Sequence, residues 1–190
     1  MNPYQVSTHD LGRRPGSMRT LELDVTVGEP MGNEVIAVRS GTEIALDLRL
    51  EAVMDGVLVT GTASTLAEGE CVRCLDPLTR DLTIDVTEMF AYPGTQQDVE
   101  SDDETEELPE LEGESANLEA TITDAVVLAL PFQPLCRPDC PGLCSVCGIR
   151  LADAEPGHAH EQLDPRWAAL EALRDPGGDD LGGPDRATSG

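Results

Sequence analysis

The chain has 190 residues, enough for one domain of ordinary size or one domain with tails. Twelve Lys and Arg face 37 Asp and Glu, a formal net charge of -25. That charge repels nucleic-acid phosphates and anionic membranes at long range and makes basic macromolecules the natural partners. Aromatic residues are 3% of the chain, which leaves little for stacking on single-stranded RNA and makes the core aliphatic.

Residues 1–20 read as a flexible N-terminal arm. They are polar, carry no signal-like apolar stretch, and contain Arg13, Arg14 and Arg19. The arm is either a solvated tail or a docking arm, and its arginines are the local basic patch through which a nucleic acid could be touched. The longest apolar run, 125–132, is too short to span a bilayer. The expectation is a cytoplasmic protein with no membrane contact. Thiols stay reduced in that compartment, so six cysteines point to metal rather than disulfides.

Residues 20–90 read as β-structure. LELDVTV (21–27), EIALDLRL (43–50) and DLTIDVTE (81–88) alternate apolar and polar residues, the period of a half-buried strand. VLVTGTASTL (57–66) is rich in β-branched residues. Asp55-Gly56 is a hairpin signal between two of these runs. Short connections demand antiparallel pairing. The fold class expected is α+β: a β-rich antiparallel open barrel or curled sheet, a covering helix, and a zinc-binding C-terminal arm.

Residues 98–114 hold ten acids and no base, which predicts a disordered loop. It serves as a solvated spacer or as a mimic of nucleic acid towards a basic protein. Residues 118–130 read as a helix with Leu118, Ile122, Ala125, Val126 and Ala129 on one face, ended by Pro131. A short helix follows over 165–173, with Asp164 as N-cap and Trp167 and Leu170 facing inward. The domain reading is therefore an arm (1–20), a β-rich core (21–134), a Cys/His-rich arm with its helix (135–174) and a disordered tail (175–190).

The chemistry lies in the cysteines. Cys71 and Cys74 form one CxxC pair, and Cys144 and Cys147 a second, followed by Gly148. Cys136 and Cys140 form a CxxxC, and His158 and His160 an HxH. Eight ligands fill two tetrahedral sites. One partition puts Cys71, Cys74, Cys136 and Cys140 on one Zn2+, and Cys144, Cys147, His158 and His160 on another. A rival groups Cys136, Cys140, Cys144 and Cys147 on one ion and leaves the first CxxC free. The histidines also suit an exposed loop, and isolated cysteines also serve as small buried hydrophobes.

Zinc with four protein ligands is structural, not catalytic. No HExxH motif, nucleophile elbow or phosphate loop is present, so no enzyme and no small-molecule substrate is expected. A CxxC can also serve thiol redox chemistry, but the thioredoxin-like helix context is absent from this sequence.

CVRCLDP (71–77), ALPFQPLC (129–136), GLCSVCG (142–148) and DPRWAAL (164–170) come in an order that resembles the YceD family, the large ribosomal RNA subunit accumulation proteins. The resemblance runs over about 21–173. The DLGRRPGSMR arm (10–19) and GHAH (157–160) are similar to actinobacterial members. Many family members carry Cys-x-Cys where this chain has His158 and His160, and imidazole can replace thiolate on zinc. The resemblance implies a non-enzymatic role in large-subunit ribosomal RNA accumulation or ribosome assembly. Its partner would be a basic large-subunit ribosomal protein or a pre-ribosomal particle, with ribosomal RNA contact possible through Arg13, Arg14 and Arg19. A zinc- or redox-responsive regulatory binding protein is the alternative, and a nuclease acting on ribosomal RNA is a third.

Overall fold

Hydrophobic alternation becomes a six-stranded antiparallel sheet. The structure is a computed structural model and describes residues 2–95 and 108–160. It divides into two units, Met1–Leu143 and Cys144–Gly190, each taken by itself. The expected helix over 165–173 and the tail beyond 175 lie outside the described residues, as do residues 98–107 of the acidic loop.

In the first unit the strands are β1 (Gln5–Ser7), β2 (Met18–Thr26), β3 (Met31–Gly32), β4 (Ile36–Val38), β5 (Glu43–Ala52), β6 (Gly56–Glu70), β7 (Pro77–Ala91) and β8 (Ser115–Asn117). They are followed by one helix, α1 (Glu119–Ala129). The main sheet runs β2-β5-β6-β4-β3, with β7 along the other edge of β6. The Asp55-Gly56 turn joins β5 to β6, closed by the Gly56 carbonyl accepting from the Val53 amide at 2.9 Å. The chain is thus mostly β with one α-helix among the described residues. Of the expected open barrel or curled sheet, the structure shows an antiparallel sheet that is not closed, with β2 and β7 not paired with each other among the described residues.

Strand β6 is the spine. One edge pairs with β7 from Gly56↔Ala91 to Glu70↔Pro77. The other serves β5 first and then β4, at Ala37↔Glu68 and Ile36↔Gly69. Small residues let the strands approach here: a Cβ on Gly61 would collide with the Asp47 carbonyl oxygen. One face is apolar across the strands, as in the row Leu23, Leu46, Ala63, Ile84. The core also includes Ile44, Leu48, Leu50, Val57, Val59 and Phe90, all 2% exposed or less. Helix α1 buries Ile122 and Val126, and Leu118 just before it is fully buried. It contacts β7 and β3, as a covering helix should.

The arm reading of residues 1–20 is corrected. Tyr4, Val6 and Leu11 are buried, and Val6 pairs with Ala116 across β1 and β8. Gly16 and Ser17 hydrogen-bond Ala52 at 2.9 Å each way, and β2 begins at Met18. Apolar residues at 4, 6 and 11 give too weak a period to announce a strand. Arg13 stacks 4.8 Å over the Tyr92 ring, and Arg19 pairs with Asp10 at 3.2 Å. The end of the acidic stretch is likewise ordered: Leu111 is buried and its amide bonds the Ala91 carbonyl at 2.9 Å.

Candidate metal centres

The eight ligand candidates fall into two groups. Cys71, Cys74, Cys136 and Cys140 make one, and Cys144, Cys147, His158 and His160 the other. Within each, all ligand atoms lie within 4.8 Å of one another. This is the first of the two partitions read from the sequence.

The first group sits where β6 hands over to β7. Residues 71–76 form a tight turn between the strands: the Cys71 amide donates to the Asp76 carbonyl at 2.8 Å, and the Leu75 amide to the Cys71 carbonyl at 2.8 Å. Cys136 and Cys140 arrive from the stretch after α1. The Val72 amide donates to the Pro134 carbonyl at 3.0 Å and the Leu143 amide to the Arg73 carbonyl at 3.1 Å. Arg73 Nη1 donates to the Cys140 carbonyl at 2.9 Å, and Arg80 Nη2 to the Leu135 carbonyl at 3.4 Å. Cys71 Sγ is 3.8 Å from Cys140 Sγ, and Cys74 Sγ is 3.6 Å from Cys136 Sγ. Tetrahedral zinc with bonds of about 2.3 Å to sulfur separates sulfurs by about 3.8 Å. Leu78 and Leu135 pack on the buried Cys71, Cys74 and Cys140.

The second group repeats the turn. The Cys144 amide donates to the Ile149 carbonyl at 2.8 Å and the Gly148 amide to the Cys144 carbonyl at 2.9 Å. Gly148 has φ +73° and its counterpart Leu75 has φ +61°, so both turns need a left-handed residue one position after the second cysteine. Cys147 Sγ lies 3.4 Å from His158 Nε2 and 3.2 Å from His160 Nε2, and the two Nε2 atoms are 3.1 Å apart. Three groups that each offer a lone pair thus face one another, an arrangement a cation resolves.

Electrostatics fit the same reading. Burial opposes ionisation of Cys71, but backbone hydrogen bonds from Cys136, Cys74 and Arg73 outweigh it and bring the thiol to about 6. For Cys74 the Asp76 backbone pulls down, yet burial and the thiols of Cys71, Cys136 and Cys140 push it up to about 12. Cys136 is raised by burial and then by Cys140. Cys144 falls to about 6 through backbone hydrogen bonds from Cys147 and Val146 and the His158 ring. One sulfur in each group therefore ionises readily. In the first group Cys74 and Cys136 resist until a cation offsets the accumulating charge. Sulfur and imidazole donors in fours suit a soft or borderline ion such as zinc and not magnesium or calcium.

Sequence reasoning missed Leu75, Arg73 and Arg80. The Cys140 carbonyl that Arg73 holds lies 67 residues away, and no local signal announces such a bond.

Comparisons with known proteins agree with this chain's motifs. The family model for the large ribosomal RNA subunit accumulation protein YceD matches residues 59–174. Uncharacterized proteins of Mycobacterium tuberculosis and Mycobacterium bovis are 49% identical over 184 residues, covering 96% of this chain and 86% of theirs. One of Mycobacterium leprae is 38% identical over 176 residues, covering 93% and 80%. No solved structure matches. The family match takes in most of the β6–β7 hairpin, α1 and all eight ligand candidates, and the chain belongs to the YceD family of large ribosomal RNA subunit accumulation proteins.

Proposed function

We propose that this protein is a non-enzymatic cytoplasmic factor for large-subunit ribosomal RNA accumulation, acting by binding a basic ribosomal protein or a pre-ribosomal particle. Family membership supplies the ribosomal setting, and the net charge of -25 carries the choice of a basic partner. The acid is also spread over the sheet. Glu22 stands directly opposite Asp47, and the row continues through Thr62 to Asp85, with all three acids exposed. Like charges opposed across strands cost up to about 1 kcal/mol, a cost that a basic partner removes. Zinc in both groups is the structural part of the proposal. Each group offers four protein donors, which leaves no position for an activated water.

Affinity capture with the full chain should recover large-subunit ribosomal proteins or precursor particles. They should elute as salt rises, because exposed charges are screened beyond about 10 Å at 0.1 M. Recovery of RNA free of protein, or of nothing ribosomal, overturns the proposal. A zinc- or redox-responsive regulator is the second reading, favoured by the exposure of Cys147 and His160.

A further inference from the structure

The two groups differ in what surrounds their sulfurs. In the first, Cys71, Cys74 and Cys140 are 0%, 7% and 3% exposed, and Cys136 alone is open to solvent. The turn and the later stretch are tied together around it at Val72, Arg73 and Leu143. In the second, Cys144 is half-buried and Cys147 and His160 are exposed. No residue from 144 to 160 is buried, and none lies in a strand or helix. Its backbone hydrogen bonds are local, as in Asp153 to Arg150 and His158 to Glu155.

We propose that the second group is an exchangeable, peroxide-sensitive zinc centre, while the first keeps its zinc at oxidant doses that empty the second. This rests on the two-zinc reading above and goes beyond it. Hydrogen peroxide reaches the Cys147 sulfur from solvent. The sulfur attacks one peroxide oxygen, the O–O bond breaks, hydroxide leaves, and a sulfenic acid remains. Cys144, in the same turn, attacks that sulfur. The S–S bond forms, the S–O bond breaks, and a second hydroxide leaves. Two electrons pass from the two sulfurs to peroxide, and two protons from solvent turn both hydroxides into water. The zinc, left with two imidazoles, is released.

The ligand atoms start within 4.8 Å and the disulfide needs about 2.05 Å between sulfurs, so the turn has only to contract. No buried contact within 144–160 has to break. In the first group peroxide meets Cys136, whose near neighbour Cys74 at 3.6 Å is packed in the hairpin turn, so the resolving step disrupts packing.

The test is a peroxide titration of the full chain carrying two equivalents of zinc, with released metal read by a chromophoric chelator and disulfides mapped by mass spectrometry. The expected result is early release of one equivalent with a Cys144–Cys147 disulfide, and the second only at about ten-fold more oxidant, following thiol exposure. A Cys144→Ser/Cys147→Ser double variant should bind one equivalent and show no early phase. Release of both equivalents together, or an early disulfide within Cys71, Cys74, Cys136 and Cys140, overturns the inference while leaving two zincs in place. Binding of fewer than two equivalents at the outset overturns the two-zinc reading itself.

Discussion

Leu75 is a residue whose side chain and backbone disagree. It occupies the left-handed position that Gly148 fills in the sister turn, and its side chain is 59% exposed. The left-handed conformation costs a non-glycine residue about 1–2 kcal/mol. Glycine loses about 0.5–1 kcal/mol more chain freedom on folding. Leu75→Gly should therefore stabilise the metal-loaded protein by up to about 1 kcal/mol, read from urea midpoints. A clear loss of stability would mean that the leucine side chain itself contributes to the fold. Arg73 acts at the same scale: a guanidinium between two ligand cysteines bonds the carbonyl of a third, so a basic residue braces the thiolates it neighbours.

At the scale of elements, β6 and α1 divide the work. Strand β6 joins β4, β5 and β7, and small residues at Gly61, Ala63 and Ala67 keep its inner side narrow. Helix α1 contributes its apolar side to that core while leaving Leu128 84% exposed. Ile122→Ala should cost about 2–5 kcal/mol, because Ile122 is fully buried and leaves a cavity. Leu128→Ala should cost almost nothing. Denaturant unfolding of the two variants side by side checks this, and equal losses would mean that α1 docks by a different face.

At the scale of the whole molecule, metal and apolar burial hold different parts. The sheet has its own core, whereas residues 144–160 bury none of their side chains. A structural zinc contributes an apparent ~10–16 kcal/mol, far beyond what the local hydrogen bonds of that stretch can supply. Chelation should therefore strip hydrogen-exchange protection from the amides of Val72, Leu143, Cys144 and Gly148. The amides pairing β5 with β6 should keep theirs. Loss of protection throughout the sheet would show that the core depends on metal as well. Protons compete with metal for the same sulfurs, so acid should reproduce the pattern that chelation gives.

The strands over 21–27, 43–50, 57–66 and 81–88, the Asp55-Gly56 turn, the helix ending before Pro131 and the spacing of the cysteines were legible in the sequence. All of them follow from periodicity, turn chemistry or ligand spacing over a few neighbouring residues. The short strands β1, β3, β4 and β8 were not, since two or three residues cannot establish a period, and their partners at Ala116 or Glu68 lie far along the chain. The sequence left two partitions of the cysteines open, because spacing within each pair says nothing about which pairs meet. The gathering of the eight side chains into two fours, the docking of residues 4–11, the brace from Arg73 and the contrast between a buried and an exposed sulfur group belong to the tertiary structure. The first sulfur group, the brace and the docked segment are contacts between stretches far apart in sequence, whose proximity depends on how the sheet packs.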